Sequence, residues 1–272
     1  MRRRKRWRQV EGDYHAYNRG ARRLAIFADD GDRGYFLRLI GLTAKKHAVL
    51  VTAWCLMDNH YHLGLRADGE RMGRMVRDLE KTYARYFNKK TGHVGALFEG
   101  RFGSVWLPDA EALAYVSRYI HANCRDKGIR AETYPWSSCR AYLGLVERPA
   151  WLLTDPVLTW AGGVEGYRRY QAEVPPLRKR ESEEDVAQAA FLEHIRERVI
   201  RAWSGPDLPE RLSLEAVTGW AALRLFGLRP KVVAPLLGYS SGHCLSNVVS
   251  RLCQRSGQEP GLRALLERVL AK

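Results

Sequence analysis

His60 and His62, separated by the bulky Tyr61, are the residues of this chain whose types and spacing most directly allow chemistry. Side chains alternate faces along a strand, so an extended 60–63 segment points both histidines one way and Tyr61 the other. Two imidazoles side by side on one strand are a ready pair of metal ligands. The same spacing also suits two partly buried histidines hydrogen-bonded to their neighbours in a sheet. A second set lies further along, where Tyr115, Tyr119 and Asn123 recur every four residues and share one helix face. An amide oxygen can complete a coordination begun by two histidines, and a tyrosine one turn earlier can then reach a metal-bound phosphate. Helical tyrosines also serve as half-buried packing residues, and spacing alone does not choose between Tyr115 and Tyr119.

These residues need elements to hold them. Residues 49–57 are apolar and rich in strand formers, and Asp58-Asn59 is turn chemistry, so 49–65 reads as a hairpin whose second strand starts at the histidines. A short strand is expected over 14–19, closed by Gly20, and a helix from Asp32 to His47. The clearest helix is 70–89, where Met72, Met75, Val76, Leu79, Tyr83, Tyr86 and Phe87 form one apolar stripe. Arg74, Arg77, Lys81 and Arg85 fall on its other sides, either as a solvated face or as groups that steer a phosphate backbone. A glycine-rich stretch, 92–103, lacks a P-loop pattern and leads into a strand at 102–107. Pro108-Asp109 then opens a helix to about residue 126, with Asp109 as N-cap and Gly128 as its end. Residues 134–142 read as a turn and a short helix.

Composition narrows the class. The 272 residues carry a formal charge of +15, which points to a polyanionic partner, nucleic acid first and an anionic membrane surface second. No apolar run approaches the roughly 18 residues of a membrane span. The basic 1–8 segment is followed by no apolar core, so no secretory signal is expected. The five cysteines are scattered without a Cys-x-x-Cys pair, which suits a reduced, cytoplasmic (nucleoid-associated) setting. Three regions follow: an α+β domain over 1–150, a linker over 151–182 holding Pro175-Pro176 and a basic run at 178–180, and a smaller all-α domain over 183–272. Within the last, 229–253 reads as helix, tight turn, helix, with Pro230 at the first start and Ser240 or Ser241 capping the second. Pro235 inside the first helix removes a backbone donor. The alternatives are a helix–turn–helix presenting His243, Ser246, Asn247 and Ser250 to DNA, or a plain helical bundle.

Six segments in order carry a family resemblance. They are Tyr-His-Ala-Tyr-Asn-Arg-Gly at 14–20, Trp-Cys-Leu-Met-Asp-Asn-His-Tyr-His-Leu at 54–63, Tyr-Ala-Arg-Tyr-Phe-Asn at 83–88, Gly-Ala-Leu-Phe-Glu-Gly-Arg-Phe at 95–102, Ser-Arg-Tyr-Ile-His-Ala-Asn at 117–123 and Tyr-Pro-Trp-Ser-Ser at 134–138. Together they resemble the single-tyrosine HUH transposases (transposase IS200-like), and most closely the REP-associated branch. The resemblance implies an HUH, ferredoxin-like antiparallel sheet with helices on one side. It implies Tyr119 as the nucleophile, His60, His62 and Asn123 as ligands of a divalent metal, Mg²⁺ or Mn²⁺, and Tyr115 as a packing neighbour. It implies attack on single-stranded or hairpin DNA, a 5′-phosphotyrosine link and rejoining to another 3′-hydroxyl, by a monomer or a homodimer. Cys124 stands where the family usually has proline. DNA contacts are expected from Arg19, Arg74, Arg77, Lys81, Arg85, Arg101, Arg118, His243 and Asn247. Two other readings stay in view: a hairpin-binding regulator that has lost cleavage, and a replication or conjugation nickase. Nickases often carry two tyrosines or place the histidines after the nucleophile, which this order of motifs does not.

Overall fold

The computed structural model describes residues 11–107, 109–172, 192, 195–197, 199–203, 212–225, 228 and 230–271. The basic 1–8 segment, Pro108, Pro175-Pro176, the run 178–180, Arg229 and most of the helical expectation over 183–211 lie outside the described residues. The chain divides into two compact units, Met1–Leu177 and Arg178–Lys272.

The first unit is built on four antiparallel strands. In chain order they are β1 (Glu11–Arg19), α1 (Asp30–His47), β2 (Leu50–Leu56), β3 (His60–Asp68), α2 (Gly69–Thr91) and β4 (Gly103–Leu107), and the sheet order is β2-β3-β1-β4. This is the ferredoxin-like arrangement, two β-α-β crossovers interleaved so that the first and third strands lie at the centre. The caps explain the helix limits. Asp29 accepts from the Asp32 amide at the start of α1, Asp68 accepts from Glu70 and Arg71 at the start of α2, and Gly92 ends α2 in the left-handed region at φ 69°.

One face of the sheet packs on α1 and α2. Tyr14 and Ala16 of β1 and Tyr61, Leu63 and Leu65 of β3 meet Phe36, Ile40, Met75, Val76, Leu79 and Tyr83 in one core. The expected placing of helices on one side describes α1 and α2. The other face is covered too, by α3 (Ala110–Ala122), whose Tyr119 ring lies against β1 and β3 side chains. The reason is in β3 itself, where six consecutive residues from His60 are buried, so both faces need a cover.

Two short helices pack behind α3: α5 (Asp155–Ala161) and α6 (Val164–Ala172), preceded by α4 (Cys139–Tyr142). The expected linker over 151–182 is therefore corrected, because its first part is helical and belongs to the first unit. Pro156 stands in the first turn of α5, where its missing N–H costs nothing, and Gly162 closes the helix at φ 77°. A buried polar cluster fastens these helices. His121 of α3 meets the Tyr167 hydroxyl of α6 through Nδ1 at 2.6 Å and Ser138 Oγ through Nε2 at 2.6 Å, while Ser138 also bonds the backbone of Trp54 in β2.

The second unit, taken by itself, contains α7 (Leu214–Trp220), α8 (Pro230–Leu236), α9 (Gly242–Ser256) and α10 (Pro260–Ala271). Pro235 sits in the last turn of α8, and the chain turns at Gly238, φ 77°, before Ser241 caps α9 through the Cys244 amide. Leu245, Val249 and Leu252 of α9 are buried. Gly242 allows the close approach of α9 to α8, because a Cβ there would stand 2.7 Å from the Lys231 nitrogen.

Candidate active site

The hairpin turn that aims the histidines is clamped on several sides. The Met57 amide donates to the His60 carbonyl at 2.9 Å, and Gly20 and Ile26 amides donate to the carbonyls of Asn59 and Asp58. Asp58 accepts from Arg33 at 2.6 Å and from Lys127, which follows Asn123 in the chain, and these cations hold its carboxyl below the ordinary carboxylate range. The turn that sets His60 is thus tied to the segment that sets Asn123.

His60 and His62 lie on the face opposite Tyr61, whose hydroxyl donates to Glu80 of α2. The two imidazoles stand 5.1 Å apart at 80°, and they are 5% and 2% exposed. His60 Nδ1 meets Asn59 Oδ1 at 2.8 Å, and its Nε2 faces Asn123 Oδ1 at 3.5 Å. The Asn123 amide is itself fixed, since its Nδ2 donates to the Tyr119 carbonyl one turn back at 3.0 Å. His62 Nδ1 meets His15 Nε2 of β1 at 2.9 Å, and among the described residues its buried Nε2 has no hydrogen-bond partner. Burial first, and then the neighbouring His15 and His60, hold His62 well below the ordinary histidine value. Burial alone pushes His15 down to about 3. Both rings are therefore neutral at pH 7, the form that ligates metal.

Tyr119 completes the group. Its ring stands edge-on to His62 with centroids 5.6 Å apart, and 6.0 Å from His15. Asp109 starts α3 by accepting from the Ala112 amide, as expected from sequence. The helix stops being α-helical at Ala122 and tightens to a 3-10 turn over Asn123–Lys127, ended by Gly128 at φ 72°. Cys124, standing where proline is usual, is buried inside this turn and donates to the His121 carbonyl.

Tyr115 is not part of the group. The Arg118 guanidinium lies 5.3 Å from its ring and 3.9 Å from the ring of Tyr170 on α6, and it donates to the Tyr170 carbonyl. Arg118, expected to touch DNA, is half-buried and stacked against the Tyr170 ring. The basic residues of α2 lie away from the histidines. Arg74, Arg77, Lys81 and Arg85 are exposed, but α2 packs on the Tyr61 face, so the sheet lies between them and the histidines. Arg74 is paired with Glu70. Arg19 behaves differently. It pairs in register with His60 on the neighbouring strand and shares the face of His15 and Tyr17, with Glu99 as its ion-pair partner. Arg101 is exposed just before β4. In the second unit His243 and Asn247 are exposed one turn apart on α9 and bond each other at 3.2 Å.

His15 and Tyr17 had no role in the sequence reading, although 14–20 was singled out. Tyr17 stands 5.0 Å from His15 and 6.0 Å from His62 between ring centroids. Gly103 of β4 lies beneath it, where a Cβ would come within 2.4 Å of the ring. The available signal was the alternation of β1, which puts 13, 15, 17 and 19 on one face.

The donor set fits a divalent cation. Two donors about 2.1 Å from one ion stand roughly 3.0–3.4 Å apart, close to the His60–Asn123 separation. A buried Nε2 with no partner, beside them, is the third donor such an ion needs. Among the described residues no group of three or more His, Cys, Asp or Glu is arranged to hold a metal, so the set rests on two histidines and an amide.

Residues 9–123 match the family model described as transposase IS200 like. A solved structure of the REP-associated tyrosine transposase bound to a REP hairpin aligns with a TM-score of 0.44 and 16% sequence identity, over 57% of this chain and 93% of that one. No curated protein matches.

Proposed function

We propose that this chain, whose residues 9–123 match the IS200-like transposase family model, cleaves and rejoins DNA strands through a covalent bond to Tyr119. The observation that carries the proposal is the Tyr119 ring, edge-on to His62 at 5.6 Å, beside the buried His62 Nε2 and the His60 Nε2 that faces Asn123 Oδ1.

His60, His62 and Asn123 would hold the cation, and Mg²⁺ or Mn²⁺ there would polarise the scissile phosphate and stabilise charge on the leaving oxygen. The Tyr119 oxygen attacks phosphorus and loses its proton. The bond to the 3′ oxygen breaks, that oxygen takes up a proton, and a 5′-phosphotyrosine ester remains. Attack by another 3′-hydroxyl reverses the step and joins strands. One phosphoester replaces another throughout, so no nucleotide cofactor is required. A tyrosine has a reference pKa near 10, and reaching the phenolate at pH 7 costs about 4 kcal/mol without help, which is the deficit a cation at this position offsets.

The substrate is single-stranded or hairpin-bearing DNA, in keeping with the +15 charge and with Arg19 beside His60. Tyr119 faces histidines of its own chain, which favours a site assembled within one chain over a tyrosine helix exchanged in a dimer. The test is incubation with single-stranded and hairpin oligonucleotides and Mn²⁺, followed by denaturing electrophoresis. A covalent adduct from the wild type, lost in Tyr119→Phe with DNA binding kept, is the expected result. DNA binding without any adduct under these conditions contradicts the proposal and favours the hairpin-binding regulator.

A further inference from the structure

We propose that His15 is a positioning residue that fixes the tautomer and aim of His62, and so sets the affinity of the site for its cation. The proposal rests on the metal reading of the site given above.

The two rings lie on adjacent strands, parallel within 26°, centroids 5.1 Å apart, with His15 Nε2 2.9 Å from His62 Nδ1. One proton lies between these nitrogens, and its owner decides what His62 can do. If His15 donates, His62 carries its own proton on Nε2, on the side of Asn123, and cannot ligate through that atom. If His62 donates from Nδ1, its Nε2 lone pair is bare on the side of Asn123, with the His60 ring 5.1 Å away between centroids. The second arrangement moves the other proton to His15 Nδ1, and it mirrors His60, whose Nδ1 is engaged by Asn59 while Nε2 faces Asn123. Ligating histidines generally have their second nitrogen fixed in this way, most often by a carboxylate or a carbonyl. Here a neutral imidazole takes that place.

His15 is in turn held. It is 2% exposed, flanked by Tyr17 at 5.0 Å and Tyr119 at 6.0 Å, and its register partner on β3 is Gly64. It touches the nucleophile's ring as well as the ligand, so it also limits how far the two can drift apart.

The test uses the full chain. With ¹⁵N-labelled histidine and no metal, the NMR signature of His62 is expected to show the proton on Nδ1 and a bare Nε2. A proton on Nε2 overturns the inference and needs no variant to show it. Calorimetric Mn²⁺ titration then compares the wild type with His60→Ala, His15→Phe and His15→Gln. The expected results are binding by the wild type, loss in His60→Ala, roughly 10- to 100-fold weaker binding in His15→Phe, and near-complete rescue in His15→Gln, which keeps an acceptor. His15→Phe binding Mn²⁺ as tightly as the wild type overturns the role of His15 and leaves the metal reading intact. Equal Mn²⁺ binding by the wild type and His60→Ala overturns the metal reading and the inference with it.

Discussion

The donor atoms of the site are aimed by neighbours that do no chemistry themselves. Asn59 turns His60, His15 turns His62, and the Tyr119 carbonyl turns Asn123. The third of these joins the proposed ligand to the proposed nucleophile, because the backbone that carries Tyr119 also fixes the Asn123 amide. Asn123→Leu should therefore lower Mn²⁺ affinity about tenfold or more, and Asn123→Asp, which keeps the oxygen, should retain binding; calorimetry decides. Equal affinity of the leucine variant and the wild type removes Asn123 from the ligand set. Histidine burial also makes a pH prediction. His15 and His121 are pushed down to about 3 from an ordinary value of 6.5, and His62 lies well below it. Between those values the unfolded chain binds protons that the folded chain does not, so stability falls as pH falls below about 6.5 and is regained as pH rises. Each histidine contributes a slope of up to about 1.4 kcal/mol per pH unit in that window. Urea midpoints measured in EDTA from pH 7 to pH 4 should decline steadily; a flat profile contradicts the burial.

Elements bring together what sequence separates. The hairpin, α2 and α3 were legible because each carries its own signal: alternation ending in a turn, an apolar stripe, an N-cap with a glycine stop. The proposed ligands were legible as pairs, since 60 and 62 lie on one strand, and 119 and 123 lie one turn apart where α3 runs into its closing 3-10 turn, although spacing alone left Tyr115 and Tyr119 both open. His15 was not, because its partner is chosen by the register of β1 on β3, and register is not written in either strand alone. The basic face of α2 was legible as a face but not as to side, because its place follows from which side of the sheet Tyr61 and Leu63 bury. The linker expected over 151–182 rests on Pro175-Pro176 and the basic run at 178–180, signals that lie beyond the short helices which Pro156 starts and Gly162 stops. Those helices depend on the buried His121 cluster. Tyr167→Phe leaves a nitrogen of His121 without its partner and should cost about 1–3 kcal/mol in urea unfolding, with the adduct still formed by folded protein. An unchanged midpoint means that the cluster does not hold α6.

At the scale of the molecule, every proposed catalytic side chain lies in the first unit, and the second unit offers helices and an exposed His243-Asn247 pair. Such a division suits chemistry in one unit and additional DNA contact in the other. The double variant His243→Ala, Asn247→Ala should weaken binding to long DNA while leaving adduct formation on short oligonucleotides unchanged. Equal affinity for long DNA contradicts a recognition role for α9. With a charge of +15, binding should also weaken steeply between 50 and 200 mM salt, by about 10³-fold if six phosphates are contacted.

The central claim is that Tyr119 is the nucleophile, and peptide mapping of the trapped adduct tests it most directly. Wild-type protein is incubated with Mn²⁺ and a single-stranded oligonucleotide, digested with protease and nuclease, and the modified peptide is identified by mass spectrometry. The account predicts a 5′-phosphonucleotide on Tyr119 alone. The same modification on Tyr115 or Tyr17, with Tyr119 unmodified, would contradict it.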